Sequence, residues 1–239
     1  CYENGLRGYA ISDHQTVSGY VELEKAYNAL DKQRPFQHIF ANEFYLLSEE
    51  EDNLRFSEND RPYYWHYLVI VLDEIGLKQM YELSARAWLR SYTYKGQLRR
   101  PSFYSDFEEV VGKDKGHLAV STGCISGFLP KCILTGNTAK AKEFIQWNWR
   151  TFGKDNFYLE CQPCWEDNEE QIKVNNSLWK LHEQLNIPII VTTDSHFMHP
   201  EDRKIHTAFL KSKDGGDSRE PEKFYQTTYL FTPQELREQ

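Results

Sequence analysis

Six short runs of β-branched and aromatic residues alternate along the chain with longer stretches whose apolar residues recur three or four apart. The first pattern predicts strands, and the second predicts amphipathic helices. Strands that alternate with helices favour an α/β domain with a largely parallel sheet, closed into a barrel or open and doubly wound. The predicted strands cover residues 6–12, 36–47, 64–72, 117–121, 157–161 and 187–193.

Capping side chains mark where several helices begin. Asp73, Asn137 and Asn168 each precede a stretch with helical periodicity, and these residue types are favoured N-caps. Residues 48–62 and 92–100 lack periodicity and are predicted to be loops. Further predicted elements are helices over 20–30, 138–152, 168–185 and 200–211, a short helix from Ser102 or Ser105, a Gly-Gly-Asp-Ser loop at 215–218, and a strand–helix pair from Tyr229.

Residues with metal-ligand chemistry stand at or near the ends of these strands. Asp194 and His196 follow the last strand, which is predicted to be buried, and they share a face if the extended conformation continues. His14 follows the first strand, Glu43 lies within the second, and Cys124 follows the fourth. Functional groups at strand ends are usual in α/β barrels, whereas capping of a strand end is the plainer alternative.

Several candidate ligands also have simpler explanations. His66 stands at the start of its strand among aromatic residues, where a hydrogen-bonded core histidine is a common alternative. Cys124 alone would suit a small buried apolar residue. Packing explains Glu43 less well, because burial of an unpaired carboxylate is costly. The Cys161-x-x-Cys164 pair has no second cysteine pair and no histidine at zinc-finger spacing, so zinc or redox chemistry is not favoured there.

A basic, aromatic stretch and several isolated histidines complete the candidates. The stretch could contact a phosphate backbone or could be a solvated loop, and the sequence favours neither. His206 is a candidate for contact with a metal ligand and not for a ligand itself. The other isolated histidines are predicted to pack or to face solvent. The stretch comprises Arg90, Tyr92, Tyr94, Lys95, Arg99 and Arg100, and the other isolated histidines are His38, His117, His182 and His199.

Composition narrows the setting. The chain of 239 residues is long enough for one large α/β domain, and no apolar run approaches a membrane span. The net charge of −8 argues against a broad basic nucleic-acid surface, although bound cations reverse the local field at a metal site. Five cysteines at irregular spacing indicate a reducing compartment, so we expect a cytoplasmic protein without a disulfide framework.

Six motifs resemble, in order, those of a known family, the polymerase-and-histidinol-phosphatase (PHP) domain at the N-terminus of bacterial DNA polymerase III alpha subunits. The resemblance implies a distorted (β/α)7 barrel whose strand ends hold up to three metal ions, with residues 1–239 as a single PHP domain. The motifs are Ile11-Ser12-Asp13-His14, Asn42-Glu43-Phe44-Tyr45, His66-Tyr67-Leu68-Val69, residues 121–127, Phe157-Tyr158-Leu159-Glu160 and Thr193-Asp194-Ser195-His196-Phe197.

The resemblance implies a ligand set for this chain. In family terms, Glu43, His66 and Cys124 hold one ion. His14 and His196 contribute to a second, and Asp194 with Glu43 contributes to a third. Asp13 corresponds to a residue that does not bind the metal directly but orients the neighbouring ligand. Imidazole, thiolate and carboxylate ligands suit Zn²⁺, and carboxylate-rich completion admits Mn²⁺. The implied metal ligands are therefore His14, Glu43, His66, Cys124, Asp194 and His196.

The family's first motif, a His-x-His on the first strand followed by an Asp, has no counterpart here and would lie upstream of Cys1. A first residue other than Met points the same way. We therefore expect an N-terminally truncated fragment that lacks the family's first strand, binds about one ion and is inactive by itself.

The resemblance implies the PHP domain of a bacterial or phage replicative DNA polymerase, a DNA-directed nucleotidyltransferase of DNA replication. The implied ligands suggest metal-dependent 3′–5′ exonuclease or phosphoesterase chemistry. DNA and proofreading or clamp-associated replication subunits are the implied partners, and no membrane partner is expected. Two alternatives remain open: a non-catalytic module that braces the polymerase and docks a proofreading subunit, and a free-standing phosphatase of the histidinol-phosphate type.

Overall fold

A curled mixed sheet forms the centre of the computed structural model, which describes residues 1–213 and 223–238. Its strands run in the order β1-β2-β3-β7-β8-β9, β6 pairs with the end of β2, and β4 and β5 form a separate hairpin. The strands are β1 (Gly8–Ile11), β2 (Gln37–Leu47), β3 (Trp65–Val71), β4 (Tyr92–Tyr94), β5 (Gln97–Arg99), β6 (Pro101–Phe103), β7 (Leu118–Ser121), β8 (Phe157–Cys161) and β9 (Ile189–Val191).

Helices connect most of the strands. The predicted caps are confirmed: Asp73 accepts from the backbone of Ile75 and Gly76, and Asn137 and Asn168 cap their own helices in the same way. Among the described residues, no helix is both long and apolar enough to cross a membrane. The helices are α1 (Tyr20–Ala29), α2 (Glu49–Asn53), α3 (Glu74–Leu89), α4 (Tyr104–Val110), α5 (Phe128–Thr135), α6 (Thr138–Phe152), α7 (Glu169–Leu185), α8 (Arg203–Lys213) and α9 (Glu235–Glu238).

The α/β class with a curled, barrel-like sheet is confirmed, but β3 departs from the predicted parallel array. β1 and β2 are parallel, as are β7, β8 and β9, whereas β3 is antiparallel to both β2 and β7. Antiparallel neighbours do not require a long crossover helix, and only α2 and a short 3-10 turn lie between β2 and β3. As a result, the first residues of β3 lie beside the last residues of β2.

Two stretches predicted to be loops contain regular structure, so these predictions were wrong. Within residues 48–62, Ser48 and Glu51 form a capping box that begins α2, and a 3-10 turn, Leu54–Phe56, follows. Within residues 92–100, β4 and β5 pair across a turn at Lys95 and Gly96, which both have positive φ. Both elements are too short for the helical or alternating pattern to be visible in the sequence.

The end of the sheet also differs from the prediction. β9 stops at Val191, and its residues are partly exposed, with Val191 54% accessible, so it is an edge strand and not a buried one. Asp194 has a φ of +45°, so the extended conformation does not continue through Asp194 and His196. The strand–helix pair predicted from Tyr229 is reduced to one bridge with Phe197, followed by α9. The predicted loop at 215–218 lies outside the described residues.

Side chains alternate between the two faces of the central strands. Phe44 of β2 and Tyr67 of β3 are fully buried in the helix-covered core, where both rings pack edge-on against Phe107. The Tyr67 hydroxyl donates a hydrogen bond to Asn148 Oδ1 at 2.6 Å, so the polar end of this core ring is satisfied. Because neighbours along a strand face opposite sides, the residues next to Phe44 and Tyr67 face the concave side of the sheet.

Candidate metal centre

Glu43 and His66 meet on the concave side of the sheet. The register of β2 and β3 pairs Tyr45 with His66 and Glu43 with Leu68, so Glu43 and His66 are diagonal neighbours on one face. Glu43 Oε1 lies 2.7 Å from His66 Nδ1. His66 stands at the start of its strand, which the rule of strand-end ligands did not explain. The antiparallel direction of β3 explains it, because the start of β3 lies beside the last half of β2.

His14 joins this pair through the chain that follows β1. His14 forms a parallel bridge with Glu43: the Glu43 amide donates to the Asp13 carbonyl, and the Gln15 amide donates to the Glu43 carbonyl. This places His14 Nδ1 3.5 Å from Glu43 Oε2. The His14 ring also stacks on Tyr45, with the ring centroids 5.2 Å apart. One ligand-type atom from each of His14, Glu43 and His66 lies within 4.8 Å of the other two.

Cys124 approaches from the loop after β7. Its Sγ lies 3.3 Å from His66 Nδ1 and 4.0 Å from Glu43 Oε1. The backbone at Gly123 permits this approach, because its φ is +70° and a Cβ there would lie 2.6 Å from the His66 carbonyl oxygen. The loop is held further by the His66 amide, which donates to the Ser126 carbonyl at 3.2 Å.

Asp194 and His196 lie on the same cavity but outside the close group of three. The cavity, of about 530 Å³, is lined by His14, Glu43, Cys124, Asp194 and His196 among other residues. His196 Nδ1 lies 2.6 Å from the Asp194 carbonyl oxygen. A carbonyl can only accept, so Nδ1 carries the proton and the Nε2 lone pair is available to a ligand.

Asp13, predicted to orient its neighbour, contacts the group through its backbone carbonyl. That carbonyl accepts from the Glu43 amide at 3.2 Å. The side chain is exposed and, within the described residues, forms no hydrogen bond with a predicted ligand. The outer role of Asp13 through its carboxylate therefore stays a prediction.

Burial and mutual charge set the protonation of these side chains. Burial lowers the pKa of His14, and the Glu43 carboxylate opposes it only in part. Burial acts to lower the pKa of His66 too, but the hydrogen bond and charge of Glu43 outweigh it, so the pKa of His66 is raised. Burial and the negative charges of Glu43 and Asp194 raise the pKa of the Cys124 thiol well above its usual value. Negative charges thus accumulate around a buried thiol, where a bound cation would be stabilised.

Two observations show that the residues present fit a divalent metal ion. First, His14 Nδ1 is buried and has no hydrogen-bond partner within the described residues, so a ring nitrogen faces the group unsatisfied. Second, the donors are imidazole, carboxylate and thiol, the set that zinc and related ions bind. Zinc bonds of about 2.0–2.3 Å would place ligand atoms somewhat more than 3 Å apart, which is near the 3.3 Å between Cys124 Sγ and His66 Nδ1. The group can hold a metal, and its donor set does not select one ion.

Glu160 was absent from the predicted ligands, although its motif was recognised. This carboxyl ends the buried part of β8, is 4% exposed and faces the same cavity. Ser121 Oγ donates to Glu160 Oε2, and Thr192 Oγ1 donates to Oε1 at 2.6 Å. Burial raises the pKa of Glu160 to about 7, against the opposing hydrogen bonds of Ser121 and Thr192. An acidic residue within an otherwise apolar predicted strand was the signal that could have identified it.

The other sequence candidates lie outside this group. His38 contacts Glu24, His117 contacts Asp73 and Asp114, and His182 Nδ1 lies 2.8 Å from the Ile187 carbonyl oxygen, which agrees with surface or packing roles. The ring of His206 lies 5.5 Å from that of His196, so an outer contact remains open. Cys161 and Cys164 are free thiols, and burial raises the pKa of each.

A curled α/β sheet that gathers histidine, carboxylate and thiol side chains at one cavity defines a domain with a candidate metal centre. The chain belongs to the PHP domain family, whose model matches residues 1–164.

Curated relatives cover nearly the whole chain. The chain is 34% identical to the "Probable DNA polymerase YorL" of Bacillus subtilis, over 97% of its own length and 19% of the relative's. It has the same identity and coverage with the "DNA-directed DNA polymerase" of Bacillus phage SPbeta. It is 27% identical to the "DNA polymerase III subunit alpha" of Aquifex aeolicus, over 87% of this chain and 17% of that protein. The chain thus spans less than a fifth of these relatives.

Proposed function

We propose that this chain is the PHP domain of a replicative-type DNA polymerase and that its metal centre cleaves phosphodiester bonds at the 3′ end of DNA. The family and the polymerase relatives support the setting. The observation that carries the chemistry is the Glu43 carboxylate, which lies between the imidazoles of His14 and His66. A domain that served only as a brace would not need a buried carboxylate bounded by two imidazoles and a thiol.

The side chains have separate roles in this proposal. Glu43, His66 and Cys124 would hold one Zn²⁺ or Mn²⁺ ion, and His14, Asp194 and His196 would help Glu43 to hold further cations beside it. Divalent cations, when bound, polarise a phosphoryl oxygen, activate water and stabilise the leaving oxygen. Glu43 Oε1 lies 2.7 Å from His66 Nδ1, so these two ligands already face each other, and the His196 tautomer is fixed by the Asp194 carbonyl. The cavity beside these groups would receive the reacting end of a strand.

Two rival functions give different outcomes. A non-catalytic module that braces the polymerase and docks a proofreading subunit would keep its fold and could bind metal, yet would cleave nothing. A free-standing phosphatase would act on small phosphomonoesters and not on DNA. The polymerase relatives favour a polymerase setting over a free-standing phosphatase.

The test combines metal content with cleavage. Purified protein should contain about one tightly held ion per chain, and Cys124→Ala should lose it, because a ligand and its charge are removed. Cleavage is measured as release of a 3′-labelled nucleotide from single-stranded DNA, with Mn²⁺ or Zn²⁺ added and a chelator as control. Both this chain and a longer natural polypeptide that contains it are assayed.

Asp194→Asn is the decisive variant, because it removes a ligand charge and keeps the shape of the side chain. In the longer natural polypeptide, we expect the Asp194→Asn variant to lose cleavage and to keep its thermal unfolding temperature within a few degrees. His182→Gln, on α7 and away from the cavity, is the matched control and should cleave normally. If the longer polypeptide binds its metals and never cleaves DNA or simple phosphoesters, the brace is the better explanation.

A further inference from the structure

The β4–β5 hairpin brings Arg99 onto a row of aromatic rings that ends at the candidate metal centre. The Arg99 guanidinium lies over the Tyr64 ring, 4.5 Å from its centroid. The Tyr64 ring lies 6.0 Å from that of Tyr45, which stacks on His14. Arg99 is therefore connected to a predicted metal ligand by two aromatic rings in contact.

Arg100 reaches the same place by a second route. Its guanidinium lies 4.0 Å from the centroid of Trp88, and the Trp88 indole donates to the Gln15 carbonyl at 2.8 Å. The pairing of β6 with β2 also sets Pro101 opposite Tyr45. Arg100 directly precedes Pro101, so its backbone lies close to Tyr45. Burial raises the pKa of Tyr45, and the charges of Arg99 and Arg100 oppose this rise. We name Tyr45, Tyr64, Trp88, Arg99 and Arg100 the arginine–aromatic track.

These two arginines differ from their neighbours in having no acidic partner among the described residues. Arg55 pairs with Asp52, and Arg90 makes a two-pronged contact with Asp106. Within the described part of the chain, neither Arg99 nor Arg100 forms an ion pair with a carboxylate. Arg99 donates to the side-chain oxygen of Gln97, and the Nε atoms of Arg99 and Arg100 are buried without an acceptor among the residues that the structure describes. Unsatisfied guanidinium donors favour an anionic ligand that supplies acceptors.

A polynucleotide phosphate fits this chemistry better than a general basic surface does. The chain carries a net charge of −8, so the protein as a whole does not attract polyanions. Arg99 and Arg100, which pair with no carboxylate among the described residues, provide local positive charge instead. Aromatic rings interleaved with arginines are typical of single-strand binding, in which bases stack on rings and phosphates contact cations. The Tyr64 hydroxyl lies 2.7 Å from the Tyr92 hydroxyl. Arg55 contacts both Tyr92 and the 74% exposed ring of Phe56, so arginines and aromatic rings continue to alternate beyond Tyr64.

We propose that Arg99 and Arg100 bind backbone phosphates of single-stranded DNA and that the arginine–aromatic track directs its 3′ end to the cavity beside His14. This inference rests on the proposed function for the location of the reacting end. The binding of the strand itself does not require the metal centre to be active.

The test measures binding in the presence of a chelator, so that cleavage does not contribute. The anisotropy of a 5′-fluorescein-labelled oligothymidylate is recorded against protein concentration at several salt concentrations. The charge-matched control is Arg150→Ala with Lys154→Ala, which also removes two positive charges, from the end of α6 and the turn after it. Circular dichroism melting checks that each variant is folded.

We expect Arg99→Ala with Arg100→Ala to raise the Kd about tenfold. It should also reduce the slope of log K against log salt by about 1.4, since each single-strand phosphate contact contributes about 0.7. The control should change neither quantity. If the alanine pair does not fold, Arg99→Gln with Arg100→Gln is measured, with the same expected losses.

The inference is overturned if wild-type protein does not bind the oligonucleotide, if the arginine variants bind as tightly as wild type, or if the control weakens binding equally. A wild type that binds through these arginines but never cleaves DNA would refute the proposed function and retain the track. If wild-type protein cleaves DNA and the arginine variants bind DNA as tightly as wild type, the proposed function is retained and the role of the track is refuted.

Discussion

Glu160, Glu43 and Asp194 line one cavity, so three carboxyl groups share a region from which water is partly excluded. Hydrogen bonds and charges distinguish them. The contacts of His66 lower the pKa of Glu43 against its burial. Burial and the charge of Glu43 raise the pKa of Asp194 to about 6. Glu160 receives hydroxyl donors from Ser121 and Thr192 and, within the described residues, pairs with no cation, and burial raises its pKa to about 7. At the scale of single residues, partners and not residue type decide which carboxyl is charged.

Glu160 should therefore make the metal-free protein less stable as the pH rises. Its pKa is about 7 when folded, against an ordinary value of 4.5. The unfolded chain releases its proton first, so stability falls between about pH 4.5 and pH 7 and is level above that range. The gap between the two pKa values corresponds to about 3 kcal/mol. We expect Glu160→Gln, which cannot ionise, to become more stable relative to wild type by up to this amount between pH 5 and pH 8.

Urea unfolding at several pH values with a chelator present measures this difference. Glu58→Gln makes the same substitution at an exposed loop position and should follow the wild-type curve. Parallel curves for wild type and Glu160→Gln would show that the buried carboxyl does not couple to folding in this way.

At the scale of elements, the loop after β7 depends on its glycine as much as on its cysteine. Gly123 and Gly136 both have a φ of +70°, but a Cβ at Gly123 would meet the His66 carbonyl, whereas none of the described atoms lies near the Cβ position of Gly136. Alanine at either position should lower the free energy of unfolding by about 1–3 kcal/mol, because the backbone there is left-handed. Gly123→Ala should cost more than Gly136→Ala, because the loop must also move away from β3.

The same comparison tests the candidate metal centre. Movement of the loop would withdraw Cys124 from His66, so Gly123→Ala should weaken metal binding about tenfold or more, and Gly136→Ala should not change it. Chemical denaturation and competition with a chromophoric chelator measure the two effects. Equal stability and equal metal affinity in the two variants would contradict the close approach of this loop to β3.

Much of the element pattern is predictable from the sequence, for physical reasons that differ by element. The helix starts at Asp73, Asn137 and Asn168 were confirmed, because capping is a local interaction between residues two or three apart. The direction of β3 was not predicted, because strand pairing depends on residues distant in the sequence. The turn at Asp194 was missed as well, since its positive φ is not encoded by a glycine.

The candidate metal centre, too, could be predicted from the sequence only in part. A motif resemblance identified side chains of the right type, and the structure brings three of them, His14, Glu43 and His66, within 4.8 Å of one another. Periodicity alone did not identify these side chains as ligands, since His66 begins an apolar strand and resembles a core histidine. The hydrogen-bond partners of Glu160 could not be predicted, and neither could the lack of a carboxylate partner for Arg99 and Arg100 among the described residues, because satisfaction of a buried or charged group depends on neighbours from other strands.

At the scale of the whole molecule, the candidate metal centre joins segments that are far apart in the chain. His14 follows β1, Glu43 lies on β2, His66 begins β3, and Cys124 follows β7. An ion bound to the folded state and not to the unfolded chain stabilises the protein by mass action, by about 2.7 kcal/mol at 100 times its Kd. This is a sizeable part of the roughly 5–15 kcal/mol typical of a domain. Because the ligands come from several strands, this stabilisation should reach the whole sheet.

We expect added Zn²⁺ or Mn²⁺ to raise the thermal unfolding temperature and to slow amide hydrogen exchange in β2, β3 and residues 122–127 together. Glu43→Gln should abolish both effects, because it removes the carboxylate that lies between His14 and His66. Glu58→Gln, with the same change of charge at an exposed position, should retain them. Differential scanning fluorimetry and exchange mass spectrometry, each with and without a chelator, measure the two effects. If exchange slows in one segment only, or if Glu43→Gln responds to metal as wild type does, the metal does not bridge these strands.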